Sequence, residues 1–499
     1  MRKKRLVWNT FSSVFYRLAV VACGFILPRL ILEYYGSETN GLVNSITQFL
    51  SIISFLELGV GAVVESSLYK PLAEKDSLKI SQIMVSANKF FKRLAGILLV
   101  YILILLFAYP QIANSSYDWM YTATLILAIS ISSFAQYYFG VVDRLLLIAD
   151  QRGYIQYWAM FVTLIVNTVA CVILMKAGCS IQVVKLTTSL IYLARPFVVR
   201  IYVNRHYDID RRAVYEKEPI EQKWNGVAQH VAAVVLDGTD NAVLTLFATL
   251  SDVSIYSVYF SVVNGVKLLL MSTTDGIQAV LGELWAKKEY EALKKTFNAV
   301  EWAMHTATVF VFGCTIMLIL PFVSVYTSGI NDANYIQPVF AILIVLANAG
   351  HCLRLPYNMM ILAAGHYKQT QHNYIVAACL NIFISIVMVN LFGLVGVAIG
   401  TLVAMVYQTL WMAIYNARHL VIRSFFCFCK QLLVDVLCFA LSVVLINIIG
   451  LHAKSYFSWF SMAGITALVW GLILFIVNYA LNRENINYAV KVIRKSRGC

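Results

Sequence analysis

Four cations interrupt long apolar stretches of this sequence and are its clearest candidates for binding chemistry: Arg17, Arg29, Lys267 and Arg354. A cation inside a hydrocarbon layer is costly, so it usually faces a polar cavity or a partner. Arginine suits phosphate because its planar guanidinium donates two parallel hydrogen bonds. His351 lies one turn before Arg354 on the same helical face. We therefore predict that the four cations line an anion-binding cavity, with snorkelling or structural ion pairing as the alternatives.

Four acids lie in similar apolar surroundings and are candidates for ion coupling or gating. Asp237 and Asp240 share one face of a predicted helix, where two acids could hold Na⁺ or a proton. The alternative is that both acids stay ionised and pair with Lys267 on the next helix. Glu57 and Glu65 also share a helical face. Glu57 is the deeper of the two and fits an ion pair with Arg17, whereas Glu65 fits a gate contact or a solvated position.

Other polar signals favour structural roles. Glu301 and His305 have i, i+4 spacing, which predicts a structural pair rather than a proton relay. Cys427 and Cys429 have neither the spacing nor the His partner of a metal site. The sequence contains no Ser-His-Asp, P-loop or dinucleotide-binding motif. We therefore predict no metal site, no bound cofactor and no enzymatic activity. The one small ligand that we predict besides the substrate is a coupling ion, Na⁺ or H⁺.

The composition places these residues in a membrane. Of the 499 residues, 60% are hydrophobic and only 13% are charged, and the mean hydropathy is +0.74. Soluble domains have typically about 45–50% apolar and about 25% charged residues. The basic N-terminus precedes a long apolar stretch without a small-residue cleavage site, so we predict a first transmembrane helix rather than a signal peptide.

Fourteen segments are apolar over roughly 20 residues or more, the length that crosses a bilayer as a helix. The longest of them, the fourth, ninth and tenth, must tilt, bend or extend beyond the bilayer. The predicted spans are 10–32, 42–68, 90–109, 119–147, 154–175, 181–203, 224–249, 255–281, 297–326, 335–364, 370–391, 395–416, 431–451 and 457–481.

Lysine and arginine are distributed unevenly among the predicted loops. With a cytoplasmic N-terminus, only Lys176, Lys185 and Lys454 fall in external loops, and almost all others fall in cytoplasmic segments. This asymmetry follows the positive-inside rule. We predict a multi-pass protein of the cell membrane with both termini in the cytoplasm. The net charge of +14 then reflects topology and attraction to anionic headgroups, and no nucleic-acid partner is predicted.

The chain contains an internal repeat with an offset of about 214 residues. Asn167 corresponds to Asn381, and Ser37 to Ser251, at this spacing. The repeat predicts two pseudo-symmetric six-helix lobes that face each other about an axis along the membrane normal. The predicted organisation is an N-lobe (1–203), a cytoplasmic linker (204–223), a C-lobe (224–416) and a C-terminal helix pair with a basic tail (417–499).

Several motifs resemble the polysaccharide transporter family, the Wzx-type oligosaccharide flippases of the multidrug/oligosaccharidyl-lipid/polysaccharide flippase superfamily. The resemblance extends over essentially the whole chain. The motifs that carry it are Pro28-Arg29, Tyr35-Gly36, Asn40-Gly41-Leu42, Glu57-Leu58-Gly59, Leu355-Pro356-Tyr357-Asn358, Gly365-His366-Tyr367, Leu380-Asn381 and Gly396-Val397-Ala398-Ile399-Gly400-Thr401.

This resemblance implies a MATE-like all-α fold of about fourteen transmembrane helices and a substrate on a polyprenyl-pyrophosphate carrier. The implied function is translocation of a lipid-linked oligosaccharide to the outer leaflet by alternating access, for capsule, exopolysaccharide or related synthesis. Its implied partners are the lipid bilayer and other polysaccharide-assembly membrane proteins. A cation-coupled drug antiporter of the same fold is the alternative. A membrane glycosyltransferase would need a large external loop, and all predicted external loops are short.

Overall fold

The computed structural model consists of helices and connecting segments, and no strand occurs among the residues that it describes. These residues are 2–52, 54–113, 116–220, 238–449, 453–483 and 486. Within these ranges, the side chains of residues 2–7, 10, 54–59, 62, 275–276, 367, 443 and 446–449 are not described.

The chain divides into two compact units, a first unit (Met1–Ser254) and a second unit (Ile255–Cys499). The first contains α1 (Arg2–Ser51), α2 (Ser54–Glu74), α3 (Ser77–Ile112), α4 (Trp119–Ala135), a π-helical turn (Gln136–Gly140), α5 (Val141–Ala149), α6 (Tyr154–Lys176), α7 (Ile181–His206) and α8, the helical residues 238–247. Helix α9 (Leu250–Met271) crosses the boundary. The second contains α10 (Thr274–Ala286), α11 (Tyr290–Tyr326), α12 (Pro338–Leu353), α13 (Leu355–Ala363), α14 (Tyr367–Phe392), α15 (Leu394–Tyr415), a second π-helical turn (Asn416–Leu420), α16 (Phe426–Ile449) and α17 (Tyr456–Leu481).

Eleven helices of the described residues are long and apolar enough to cross a membrane. The prediction of an all-helical polytopic membrane protein is confirmed. The eleven correspond to the predicted spans other than the second, seventh and thirteenth. The second span is divided between α1 and α2, the seventh falls largely outside the described residues, and the thirteenth corresponds to α16. The count of fourteen and the lobe boundaries remain predictions.

Helix α1 is two arms that meet at Gly36. The backbone there is non-helical (φ 83°, ψ 175°), a conformation that glycine adopts without a Cβ clash. Near the start of the first arm, Asn9 donates a hydrogen bond of 2.8 Å to the carbonyl of Gln151. At its end, the Tyr35 hydroxyl donates one of 2.5 Å to the carbonyl of Cys179. The first arm therefore runs alongside α6, which lies between those two contacts.

The second arm returns along α3. Ser45 Oγ accepts a hydrogen bond of 2.6 Å from the Tyr109 hydroxyl, and the carbonyl of Phe49 accepts one of 3.1 Å from the Tyr101 hydroxyl. Ser45 contacts Tyr109, and Phe49, further along the arm, contacts the earlier residue Tyr101. The second arm is therefore antiparallel to α3. The chain therefore reverses at Gly36, and the first predicted span and the start of the second form one helical hairpin.

The tenth predicted span consists of two helices that meet at Arg354, which follows α12 and precedes α13. Pro356 lies in the first turn of α13. Because proline has no N–H, it cannot donate to the carbonyl of Cys352, and the helix is interrupted there. The eighth span also differs from its prediction, because α9 ends at Met271 and a separate helix, α10, follows.

Helix α11 packs against both C-terminal helices of the second unit, α16 and α17. Trp470 of α17 donates a hydrogen bond of 3.2 Å to the carbonyl of Val309. A Cβ on Gly313 would come within 2.4 Å of the Trp470 indole nitrogen, so only glycine permits this approach. Trp459 donates one of 3.1 Å to the carbonyl of Leu318. These contacts hold α17 against α11.

The segment between α7 and residue 220 lies against the first unit. Arg211 pairs at 3.1 Å with the buried carboxylate of Asp143 on α5. The Tyr207 hydroxyl donates a hydrogen bond of 2.6 Å to Asp150. Burial raises the pKa of Tyr207, and the hydrogen bond to Asp150 raises it further. The described part of the predicted linker is therefore packed against α5 and the residues that follow it. We call this segment (residues 204–220) the strap.

Candidate binding sites

Arg354 is the centre of a buried polar cluster in the second unit. One guanidinium nitrogen, Nη1, donates a hydrogen bond to Gln408 Oε1 on α15. The other, Nη2, lies 3.2 Å from His351 Nδ1. Arg354 and His351 are each only 7% exposed, and Gln408 is fully buried. The break between α12 and α13 places the arginine where it reaches α15. Arg354 and His351 are in contact, as expected for residues predicted to share a helical face.

Lys267 of α9 belongs to the same region. Its side chain is 6% exposed, and it acts electrostatically on His351 and Cys352 of α12. The ammonium nitrogen also lies 5.8 Å from the centre of the Phe260 ring, within range of a cation–π contact. Two of the four predicted cations therefore come together, although they are 87 residues apart in sequence, from 267 to 354. We call Lys267, His351, Arg354 and Gln408 the cation cluster.

The hydrogen-bonding groups of this cluster are incompletely satisfied. Arg354 Nε and Gln408 Nε2 are buried and have no hydrogen-bond partner in the described part of the chain. Arg354 also makes no ion pair with a carboxylate among those residues. A buried unpaired donor or charge is destabilising unless a ligand satisfies it. These two donors, one on Arg354 itself and one on Gln408, together with the positive charge of Lys267, form a site suited to an oxyanion.

Arg17 and Arg29 lie in the first unit, on the first arm of α1. The Arg17 side chain is exposed, and that of Arg29 is partly buried. Both positions lie within the apolar part of α1. They can line a substrate cavity, as predicted, only if that cavity is polar. Their place in the substrate path stays a prediction.

The predicted coupling acids are described only in part. Asp240 lies on α8 and is 6% exposed, whereas Asp237 lies outside the described residues. The side chain of Glu57 is likewise outside the description. Glu65 is partly buried on α2 and interacts electrostatically with Arg144 of α5. The roles of these acids in coupling and gating remain predictions.

Glu301 and His305 belong to a wider buried network. Arg423 forms two hydrogen bonds to the two carboxylate oxygens of Glu301, one of them 2.6 Å long. His305 Nδ1 lies 2.5 Å from Asp435 Oδ2 on α16. The Tyr357 hydroxyl of α13 donates to Glu301 and lies 3.2 Å from His305 Nε2. This network joins α11, α13 and α16. The sequence interpretation did not connect Tyr357, Arg423 or Asp435 with the Glu301–His305 pair.

A second polar region lies inside the first unit. A cavity of about 140 Å³ opens between α4–α5, α6 and α7, and Arg144 and Arg195 line it. The sequence interpretation counted both arginines among the cytoplasmic charges. The structure instead places Arg144 within α5 and Arg195 near the middle of α7.

No family model and no curated protein sequence matches this chain. Solved structures do match it. The lipid II flippase MurJ, in an inward closed conformation, has 14% identity and a TM-score of 0.70, over 95% of this chain and 99% of that one. An inward-facing multidrug resistance MATE family transporter of the MOP superfamily has 14% identity and a TM-score of 0.64, over 81% of this chain and 98% of that one. A MATE transporter of Vibrio cholerae has 12% identity and a TM-score of 0.57, over 85% and 98%.

These similarities define the class of fold. Identities of 12–14% establish a shared architecture, while function depends on the residues placed on it. The chain therefore has an all-helical fold similar to those of the MurJ and MATE structures, which confirms the predicted MATE-like fold class.

Proposed function

We propose that the chain is a flippase that moves an oligosaccharide, linked to a polyprenyl pyrophosphate, from the cytoplasmic to the outer leaflet. The cation cluster carries this proposal. Its two cations suit a diphosphate, and so do the two buried donors that have no partner among the described residues. The prenyl tail stays in the lipid, so only the charged head needs a polar route across about 30 Å of hydrocarbon.

The extent of the structural matches supports the same substrate class. The lipid II flippase matches 95% of this chain, whereas the two MATE transporters match 81% and 85%. The wider coverage fits a chain that continues beyond the twelve helices of the predicted repeat. The sequence resemblance to oligosaccharide flippases points in the same direction and supports a role in cell-surface polysaccharide synthesis at the cytoplasmic membrane.

A cation-coupled antiporter is the second candidate, and the buried acid Asp240 favours it. A drug antiporter needs acidic groups that can accept either the drug or the coupling cation. The two candidates differ in the charge of the transported molecule, so one reconstituted system can separate them.

The test uses the purified full-length chain in phosphatidylcholine vesicles. The probe is a short polyprenyl-diphosphate oligosaccharide in the inner leaflet, and a membrane-impermeant lectin reports sugar that reaches the outside. Parallel vesicles contain ethidium, a cationic dye. We expect lectin accessibility to rise in vesicles that contain the protein, to fall in the Arg354→Gln variant and to persist in Arg205→Gln, which alters an exposed arginine at the end of α7. Dye release without sugar translocation would establish the antiporter instead.

A further inference from the structure

The cavity in the first unit has the composition of a binding site for an anion. The residues that line it include the cations Arg144 and Arg195 and the amide residues Gln136 and Gln156. Its other polar lining residues are Ser132, Ser133 and Tyr192. Its volume of about 140 Å³ exceeds the roughly 30 Å³ that one water molecule occupies in the liquid. A phosphate-sized group with bound water therefore fits.

Among the described residues, Arg195 is held by groups other than carboxylates. Its Nε donates a hydrogen bond of 2.7 Å to Thr163 Oγ1, and its guanidinium lies 3.5 Å from the centre of the Tyr192 ring. The groups that act on it electrostatically among the described residues are the phenols of Tyr16 and Tyr192. Stacking and one hydrogen bond fix the orientation of the arginine. Neither provides a carboxylate counterion, and none of the described residues does.

The neighbouring charges add to the positive character of the region. Arg144 acts on Glu65, and Asp143 pairs with Arg211 and also interacts with Arg200. Together with Arg195, these described groups are four arginines and two carboxylates. An anion that enters the cavity is attracted by this excess, because a low-dielectric environment screens it less than water does.

The helices around the cavity are irregular where they line it. The π-helical turn Gln136–Gly140 separates α4 from α5, and such turns often occur at functional sites. Gly140 lies against Pro196 of α7, where a Cβ on the glycine would be 2.9 Å from the proline Cβ. Pro196 has no N–H, so the carbonyl of Tyr192 loses its helical partner. This close packing holds the walls of the cavity in a fixed arrangement.

We propose that the first unit contains an oxyanion site, separate from the cation cluster, in which Arg144 and Arg195 bind a phosphate group. The phosphate belongs either to a lipid headgroup or to a free anion, and both use the same charge-assisted hydrogen bonds. The site does not depend on the proposed function, because an anion would stabilise this unit whatever the protein transports.

The test measures thermal unfolding of the full-length protein in a non-ionic detergent. One arm titrates inorganic phosphate at constant ionic strength against chloride, and the other adds short-chain phosphatidic acid against the matching diacylglycerol. We expect a rise in Tm of about 2–4 °C in one arm or both, because a ligand of the folded state stabilises it. A rise with inorganic phosphate alone identifies a free anion, and one with phosphatidic acid alone identifies a headgroup.

Three variants connect the effect to the cavity. Arg195→Gln removes one cation, and Ala159→Leu fills the cavity while retaining both arginines. Both should lose the rise in Tm, whereas Arg205→Gln should retain it. If Arg195→Gln does not fold, Ala159→Leu gives the same information. The proposal is overturned if the wild type shows no rise in either arm, or if Ala159→Leu keeps the full rise.

Discussion

Asn40 donates a hydrogen bond of 2.7 Å to Ser254 Oγ, and the two residues are 214 positions apart. Both residues are buried and lie within the first unit. The same spacing relates Asn167 to Asn381 and defines the predicted repeat. The contact lies at the end of the first unit, where α9 begins. The symmetric arrangement of the two predicted halves stays a prediction.

The first prediction concerns Gly41, which lies beside this contact. A Cβ at this position would be 1.7 Å from the carbonyl oxygen of Leu250, so Gly41→Ala must displace backbone. We expect a loss of several kcal/mol in unfolding free energy or failure to accumulate, as is typical of severe overpacking. Gly24→Ala on the same helix is the control, since a Cβ there meets nothing within 4 Å. Equal Tm values for the two variants would contradict the close approach.

The second prediction concerns the cation cluster. Lys267→Ala and Arg354→Gln each remove a cation from a buried site, and a hydrogen bond to a charged group contributes about 1.5–3 kcal/mol. We expect sugar translocation to fall about 10–100-fold while expression and Tm stay close to wild type. Arg354→Lys should recover only part of the activity, because it keeps the charge but loses the bidentate fork. Full activity in both loss-of-charge variants would refute the site.

Arg17 tests the first arm of α1 separately. Its exposed side chain is predicted to contact the same anionic substrate, so Arg17→Ala should abolish export and Arg17→Lys should restore part of it. Arg205→Gln serves as the control for loss of an exposed arginine elsewhere. Normal export by Arg17→Ala would show that the exposed guanidinium only contacts lipid headgroups or water.

The third prediction concerns the network of Glu301, Arg423 and their neighbours. Arg423→Gln leaves a buried carboxylate without its cation, which typically lowers the unfolding free energy by about 3–5 kcal/mol. The double variant Glu301→Gln, Arg423→Gln should be more stable than the sum of the single losses predicts. Glu283→Gln is the control, because its ion pair with Lys287 is exposed. Additive losses in a double-mutant cycle would show that the two groups act independently.

Local spacing predicted part of this architecture, and long-range contacts supplied the rest. His351 and Arg354 could be paired because residues three positions apart share a helical face. The Glu301–Arg423 contact spans 122 residues, and no local pattern indicates it. Asp435 could have been found, since it is an acid within an apolar span, the same signal that identified Asp240. Arg195 was counted among the cytoplasmic charges, and its place at a cavity could not be predicted because the positive-inside rule describes loops and not cavities inside a helical unit.

The fourth prediction concerns the strap. Arg211 is held by the buried carboxylate of Asp143, so Asp143→Asn should release it and speed tryptic cleavage at Arg211 and Arg212 severalfold. Asp208→Asn is the control, because Asp208 is exposed on the same segment. The measurement is a time course of limited trypsin digestion in detergent. Identical cleavage rates for the two variants would show that the ion pair does not hold the strap in place.

The last prediction concerns the energy source, and it rests on the two acids of the seventh span. Asp240 is 6% exposed on α8, and Gln48 of α1 donates a hydrogen bond of 3.0 Å to the neighbouring Gly238 carbonyl. The acid therefore lies in a part of α8 that is held against α1. Ion binding at Asp237 and Asp240 can bias a conformational equilibrium only if one state binds the ion more tightly. A charge moved through the full field gains about 2.3 kcal/mol per 100 mV, enough to shift such an equilibrium strongly.

We expect imposed Na⁺ or proton gradients to accelerate sugar translocation in wild-type vesicles. The double variant Asp237→Asn, Asp240→Asn should lose this acceleration and keep a basal rate, because the neutral amides cannot bind the ion. Glu283→Gln, which alters an exposed acid outside the cluster, should respond like the wild type. If the double variant still responds to a gradient, or if the wild type ignores both gradients, these acids are structural partners of a buried cation and another group or process drives transport.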